Sequence, residues 1–200
     1  MSVVICAYTM DRWELLRAAV RSVATQRPPV GELVLVIDHN EELERRARAE
    51  LPEARVVPNR YRRGLSGARN TGIDETNCPL IAFLDDDAEA CAGWAASLAE
   101  AYSTPPVIGV GGLSEAAWVG SRPSWFPAEF DWVVGCSYRG LPDEPAPVRN
   151  MIGSNMSFRR EVFDRVGAFN PDVGRIGLTP VGCEETELCI RAALAIPGAT

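Results

Sequence analysis

The chain has 200 residues, of which 46% are hydrophobic, which is enough for one α/β domain with a substantial core. Its formal net charge of -7 argues against a nucleic-acid partner, because surfaces that bind nucleic acids are basic. No apolar run approaches the roughly 18 to 20 residues that span a bilayer, and the first run is too short for a signal peptide. We therefore expect a cytoplasmic protein without a transmembrane segment, with peripheral attachment at the inner face of the membrane left open.

Apolar runs and helical periodicities alternate along the first half of the chain. Continuous apolar stretches predict short strands at residues 3–7, 33–37, 55–58, 80–84 and 107–111. The stretches between them predict helices after Asp11 and at 41–51, 66–74 and 94–101. Asp11 is expected to cap the first of these helices, with Glu14 as its capping-box partner. Repeated β-α-β units predict an α/β fold with a mostly parallel central sheet and helices on both faces.

The second half of the chain loses this regularity between residues 115 and 150, where proline, glycine and aromatic residues are frequent. Long irregular segments inside a compact domain are often functional loops. A strand is expected again at 155–158, followed by helices at 160–166 and 185–194. Because no closing strand or helix follows, the C-terminal part is expected to be truncated.

Polar residues follow three of the predicted strands, at 7–9, 38–40 and 85–87. In parallel sheets, ligands bind outside the carboxyl ends of the strands, and this rule singles out these three places. The run Asp85-Asp86-Asp87 is the sharpest feature, because carboxylate oxygens suit Mg²⁺ or Mn²⁺, which in turn bind phosphate oxygens. The alternative is a solvated acidic turn that caps the next helix.

Three other features have two interpretations each. Asp38 can accept hydrogen bonds from a base or a ribose, or it can cap the helix at 41–51. The basic, glycine-containing segment at 60–70 precedes a helix, whose N-terminus favours anions such as a diphosphate, although an exposed basic turn explains the same residues. The acidic residues at 184–187 exceed modestly what stabilising the first turn of a helix requires.

Six segments, taken in chain order, resemble the motifs of glycosyltransferase family 2, whose members have the GT-A fold. These segments are 3–8, 36–38, 64–72, 83–87, 153–160 with 166–169, and 184–191. The resemblance implies a metal-dependent, inverting glycosyltransferase that moves a hexosyl or hexuronosyl group from a nucleotide diphosphate sugar, expected to be UDP-linked, to an acceptor hydroxyl. It also implies a nucleotide-sugar-binding half at 1–112 and an acceptor-side half with the aromatic-rich loop at 113–200, within one continuous domain. The segment 125–136 resembles a subgroup of hexuronic-acid transferases that act on lipid-linked glycans, as in cell-envelope polysaccharide synthesis.

The resemblance also assigns roles residue by residue. It implies that Asp87 and Asp85 bind Mg²⁺ or Mn²⁺, and that Glu185 is the catalytic base, with Glu184 as the second choice. The donor-binding residues that it implies are Ala7, Tyr8, Asp38, Arg69, Asp85 and Asp86. The residues that it implies on the acceptor side are Asn155, Trp125 and Trp132. Within the donor set, Asp38 is expected to read the uracil, and Arg69 is expected to assist the departing diphosphate.

Two departures from the family pattern and two other functions accompany this hypothesis. His39 stands where the family has a second acidic residue, and Glu185 stands where it has an aspartate. A nucleotidyltransferase is one alternative, but such enzymes place a glycine-rich basic loop directly after the first strand, whereas residues 7–11 are of another type. A catalytically inactive module that binds sugar nucleotides or glycans is the other alternative, which the intact acidic residues disfavour.

Overall fold

The computed structural model of this protein describes residues 1–104, 106–175 and 182–198. The strands are β1 (Ser2–Ala7), β2 (Glu32–Ile37), β3 (Arg55–Pro58), β4 (Leu80–Asp85), β5 (Gly109–Gly111) and β6 (Asn155–Arg159). The helices are α1 (Trp13–Ala24), α2 (Glu41–Glu50), α3 (Leu65–Asp74), α4 (Trp94–Ala101), α5 (Arg160–Val166) and α6 (Glu184–Ala195). Short 3₁₀ helices cover Met10–Arg12 and Ala128–Val134.

The strands form one sheet in the order β3-β2-β1-β4-β6-β5. β1 pairs in parallel with β2 and with β4, and β2 pairs in parallel with β3. β6 runs antiparallel to both of its neighbours, β4 and β5, so it alone among the described strands runs against the common direction. The mostly parallel sheet predicted from the sequence is therefore confirmed.

Successive residues of a strand point to opposite faces of the sheet, and helices cover both of these faces. On one face, Val3 and Ile5 pack with buried residues of α1, α2 and α4. On the other face, Val4 and Phe83 pack with buried residues of α3, α5 and α6. β2 is buried without interruption from Leu33 to Ile37, as expected of a central strand in a parallel sheet.

The beginning of α1 differs from the sequence-based prediction. Asp11 does not cap this helix, because a 3₁₀ turn at Met10–Arg12 comes first and is capped by Thr9, whose hydroxyl accepts a hydrogen bond from the Asp11 backbone N–H at 3.2 Å. α1 then begins at Trp13, directly after Arg12, whose side chain makes no capping hydrogen bond. This extra turn places Arg12 at the carboxyl edge of the sheet.

The irregular segment between β5 and β6 has packing of its own. The Arg122 guanidinium lies 5.4 Å from the Trp118 ring centre and 5.8 Å from that of Phe126, and it pairs with Asp131. Part of the predicted loop therefore forms a small folded unit around one arginine. Among the described helices, none is both long enough and apolar enough to cross a membrane.

Candidate active site

The carboxyl ends of β1, β2 and β4 meet at one edge of the sheet. The strand register places Cys6 opposite Asp85, and the Asp38 backbone N–H donates to the Ala7 carbonyl at 2.8 Å. Tyr8, which follows the buried Ala7, is exposed at this edge. The three places that the sequence singles out therefore lie together at this edge of the sheet.

A cleft of about 180 Å³ opens between the ends of β1 and β2 and is lined by Tyr8, Asp38, His39, Asn40 and Arg63. Asn40 caps α2 by accepting from the Leu43 backbone N–H at 3.0 Å, so Asp38 is not needed as the cap of that helix. Instead, the two carboxylate oxygens of Asp38 accept from the Asn59 side chain at 2.7 Å and from the Gly64 backbone N–H at 2.9 Å. These bonds hold the carboxylate at the wall of the cleft.

The first two backbone amides at the N-terminus of α3 are bound within the protein. Besides the Gly64 N–H, which Asp38 accepts, the Leu65 N–H donates to the Arg175 carbonyl at 3.0 Å. Two arginines of the preceding basic segment are paired as well, Arg60 with Glu75 at 2.8 Å and Arg62 with Asp172 at 3.1 Å. A diphosphate at this helix N-terminus would therefore compete with a side-chain carboxylate and a backbone carbonyl for these two amides.

Arg69 connects segments that are far apart in the sequence. Its side chain is only 2% exposed, and one Nη1 hydrogen bond of 2.6 Å joins it to Glu184 of α6. Its Nη2 atom donates to the Gly153 carbonyl at 3.0 Å and lies 3.5 Å from an Asp85 carboxylate oxygen. The Phe169 ring centre lies 5.4 Å from the same guanidinium. Arg69 is therefore a buried junction between the acidic run and α6, and its exposure does not fit a residue that contacts the diphosphate directly.

The three aspartates of the acidic run have different surroundings. The side chains of Asp85 and Asp87 are 38% and 42% exposed. Asp86 is buried and pairs with Arg12 at 3.0 Å, so the expectation that it contacts the donor is not supported by its orientation. Desolvation and the neighbouring Asp87 raise the pKa of Asp85, and Arg69 opposes that shift. Two carboxylates, rather than three, are thus presented to solvent.

Arg12 is the residue of this site that the sequence analysis missed. Its Nη1 atom lies 3.0 Å from carboxylate oxygens of both Asp86 and Asp87. Nothing in the helical periodicity distinguishes it from an ordinary surface arginine. Only the unpredicted 3₁₀ turn brings it to the acidic run.

The two adjacent glutamates at the start of α6 face different environments. Glu184 is 4% exposed and bound to Arg69, whereas Glu185 is half-buried. A Cβ atom on Gly153 would lie 3.2 Å from Arg69 Nη2 and 3.8 Å from Glu185 Oε2, so the bare backbone of Gly153 adjoins both groups. Burial, and then the charge of Glu184, raise the pKa of Glu185, whereas its own backbone N–H and the charge of Arg69 oppose that shift.

The residues expected on the acceptor side divide into one framework residue and two exposed ones. The Asn155 side chain accepts from Trp94 Nε1 at 2.9 Å and donates to the Leu113 carbonyl at 3.0 Å, so its amide holds the framework together. Trp125 and Trp132 are 78% and 57% exposed. Their segment therefore offers aromatic surface to solvent.

A chain of hydrogen bonds connects this aromatic segment to the acidic run. The 3₁₀ helix that contains Trp132 is followed by Gly135, whose carbonyl accepts from the Ser154 hydroxyl at 3.0 Å. The Ser154 carbonyl in turn accepts from the Asp85 backbone N–H at 3.4 Å. The exposed aromatic surface thus adjoins the predicted site of chemistry.

Comparison with known proteins gives consistent matches. The sequence profile of the family described as Glycosyl transferase family 2 matches residues 2–167. A glucosyl-dolichyl phosphate glucuronosyltransferase of Haloferax volcanii is 38% identical over 195 residues, which cover 96% of this chain and 62% of that protein. This chain therefore spans less than two thirds of that relative.

Two solved glycosyltransferases share the fold. A mannosyltransferase from Pyrobaculum calidifontis in complex with GDP-Man and Mn²⁺ superposes with a TM-score of 0.65 at 19% identity, covering 96% of this chain and 51% of that one. The structure of GalNAc-T7 with UDP, GalNAc and Mn²⁺ gives the same TM-score of 0.65 at 22% identity, covering 96% and 40% of the two chains. At these identities the likeness concerns the fold alone, and it confirms the GT-A architecture expected from the sequence.

Proposed function

This chain belongs to glycosyl transferase family 2, and on that premise we propose that it transfers a hexuronosyl residue from a UDP-linked sugar to a hydroxyl of a lipid-linked glycan, with inversion at the anomeric carbon. One observation carries the proposal: buried Arg69 ties the acidic run to the first turn of α6. Such a transfer needs a place that neutralises a departing diphosphate beside a carboxylate that accepts a proton. The Haloferax volcanii relative, a glucosyl-dolichyl phosphate glucuronosyltransferase, supports the class of sugar and of acceptor.

Asp85 and Asp87 are the residues that would hold a divalent metal. The Arg12 cation lies 3.0 Å from Asp87, so this place already stabilises positive charge. The described residues contain no group of three or more His, Cys, Asp or Glu side chains arranged around one metal position. Two carboxylates nevertheless fit Mg²⁺ or Mn²⁺, because these ions are commonly bound by one or two carboxylates together with substrate phosphates. When bound, the ion neutralises charge on the departing diphosphate.

Glu185 is the better candidate for the base. Glu184 is engaged by Arg69 at 2.6 Å, and protonating it would break a buried ion pair. The raised pKa of Glu185 moves this carboxylate toward the pH range in which a general base is most effective. In the proposed step, Glu185 takes the proton of the acceptor hydroxyl while that oxygen bonds to the anomeric carbon. The bond from that carbon to the donor phosphate breaks, and the nucleoside diphosphate leaves with the electron pair.

The lipid-linked acceptor is assigned to the surface around the 3₁₀ helix Ala128–Val134. Phe130, Trp132 and Val133 are each at least half exposed there. Tryptophan and other aromatic side chains are favoured where water meets a lipid surface. The hydrogen bonds through Ser154 keep this surface close to Asp85.

The transfer is tested with the purified chain, Mn²⁺, a glucosylated polyprenyl phosphate and a panel of UDP-glucuronic acid, UDP-glucose and GDP-mannose. We expect the acceptor to gain one hexuronosyl residue by mass spectrometry, with the opposite anomeric configuration by NMR. Binding of UDP without transfer from any of the three donors would instead favour the inactive binding module.

The metal assignment has its own test with a matched pair of acidic residues. Asp87→Asn is expected to abolish the metal dependence of UDP binding, measured by calorimetry. Glu89→Gln is the control, because Glu89 is exposed and lies two residues further along the chain. Unchanged affinity and metal dependence in Asp87→Asn would reject Asp87 as a ligand.

A further inference from the structure

Two of the groups that the sequence predicts for the donor's diphosphate are engaged within the protein. Arg69 is buried on Glu184, and the first amides of α3 are taken by Asp38 and the Arg175 carbonyl. Arg63 lines the cleft, where its side chain donates to the His39 carbonyl at 2.9 Å, so a cation nearer the acidic run is the next candidate to face the phosphates.

Arg12 lies between the base cleft and the acidic run. Its guanidinium carbon is 5.8 Å from the ring centre of Tyr8, which lines the cleft. Its Nη1 atom is 3.0 Å from both Asp86 and Asp87 on the other side. A nucleotide whose base occupies the cleft and whose phosphates reach Asp87 would extend past this guanidinium.

The two carboxylates that hold Arg12 are not equivalent. Asp86 is buried, and its Oδ2 atom has no hydrogen-bond partner within the described residues, so the pair with Arg12 is its main compensation. Asp87 is 42% exposed, so water or a metal can replace Arg12 there. Asp86 therefore serves as the permanent anchor of Arg12, and Asp87 as an exchangeable contact.

Arg12 also has N–H groups that contact no carboxylate among the described residues. A guanidinium carries five N–H groups, and within the described residues only its Nη1 atom contacts a carboxylate. The side chain is 33% exposed. Planar N–H pairs of this kind match phosphate oxygens well.

We propose that Arg12 binds phosphate oxygens of the donor's nucleoside diphosphate, while Asp86 fixes its position and the metal replaces it on Asp87. This inference rests on the proposed function, because it assumes that the base cleft receives the donor's nucleoside. It assigns to Arg12 the role that the sequence resemblance gives to Arg69.

The test compares calorimetric affinities for uridine and for UDP, both with Mn²⁺. Arg12→Gln is expected to reduce the preference for UDP over uridine by about tenfold or more, because hydrogen bonds to charged groups are lost, and to leave uridine affinity unchanged. The double variant Arg12→Gln with Asp86→Asn removes the orphaned buried charge as well, and it should show the same loss in a stably folded protein. Arg17→Gln is the matched control, because Arg17 is on α1 and pairs with Glu14 at 2.7 Å.

An unchanged preference for UDP in both folded variants would overturn the assignment of Arg12 to the phosphates. If the same variants also bound Mn²⁺ more tightly, the role of Arg12 would be only to neutralise the acidic run. If the parental chain binds uridine and UDP equally, or binds neither, the proposed function fails together with this inference. A parental chain that prefers UDP, with variants that do not, supports both.

Discussion

Replacing Glu184 by glutamine tests whether the buried pair with Arg69 holds the site together. Both side chains are at most 5% exposed, and the pair is 2.6 Å long. Removing one partner of a buried ion pair costs about 3 to 5 kcal/mol, because the other charge is left uncompensated. Arg69 keeps the Gly153 carbonyl at 3.0 Å and Asp85 at 3.5 Å, so we expect the lower end, about 3 kcal/mol, in the free energy of unfolding.

Urea unfolding followed by tryptophan fluorescence measures this loss. The control is Glu44→Gln, which breaks the exposed i,i+4 pair with Arg48 at 2.7 Å and should cost less than about 0.5 kcal/mol. The double variant Arg69→Met with Glu184→Leu should recover much of the loss, since a packed apolar pair replaces the charges. A loss in Glu184→Gln no larger than that of the control would refute the reasoning.

Four further predictions concern chemistry, base recognition, acid stability and loop motion. Glu185→Gln should keep UDP affinity and slow transfer by roughly 10²- to 10⁴-fold, and transfer at the parental rate would exclude Glu185 as the base. In the parental chain, the transfer rate should fall with acidification at a higher pH than an ordinary glutamate would give, because the pKa of Glu185 is raised. Asp38→Ala should weaken the preference for UDP over CDP by about 1 to 3 kcal/mol, and equal discrimination by calorimetry would contradict its role. Hydrogen bonds from the Asn77 backbone and the Ser2 hydroxyl lower the pKa of Glu32 from 4.5 to about 2. The ionised Glu32 therefore stabilises the folded protein fully above pH 4.5, and this contribution is lost as the pH falls toward 2. In a plot of the free energy of unfolding against pH, Glu32→Gln should flatten that range, whereas Glu42→Gln should not. Hydrogen exchange across residues 118–149 should slow when donor and acceptor are added, and unaltered exchange would mean that the segment is only a packed subdomain.

The main elements of the fold were predictable because their signals are local. The apolar runs that became β1, β2 and β4 are continuous, as in strands buried on both faces. The pairing of β6 between β4 and β5 has no such signal, because strand pairing across an irregular segment depends on tertiary contacts. The start of α1 was misplaced because the sequence does not show the 3₁₀ turn at Met10–Arg12, which Thr9 caps and which delays α1 to Trp13.

The candidate site was predictable in position but less so in its internal roles. The carboxyl-edge rule brought Asp38 and Asp85 together correctly. The resemblance ranked Glu185 before Glu184 as the base, but the residues alone could not show which of them meets Arg69, because neighbours on a helix differ by about 100° in direction and only packing decides. Arg12 was missed for a related reason, since its importance depends on Asp86, which is 74 positions away.

The position of β6 in the sheet has a consequence for how the chain is made. β4 reaches its full set of backbone partners only after residues 155–159 have emerged from the ribosome, since β6 is its antiparallel neighbour. Until then, one edge of the apolar strand Leu80–Asp85 presents unpaired N–H and C=O groups, which is the kind of edge that recruits strands from other chains. Nascent chains that stall within the aromatic-rich segment should therefore depend on chaperones, and fragments that end there should aggregate.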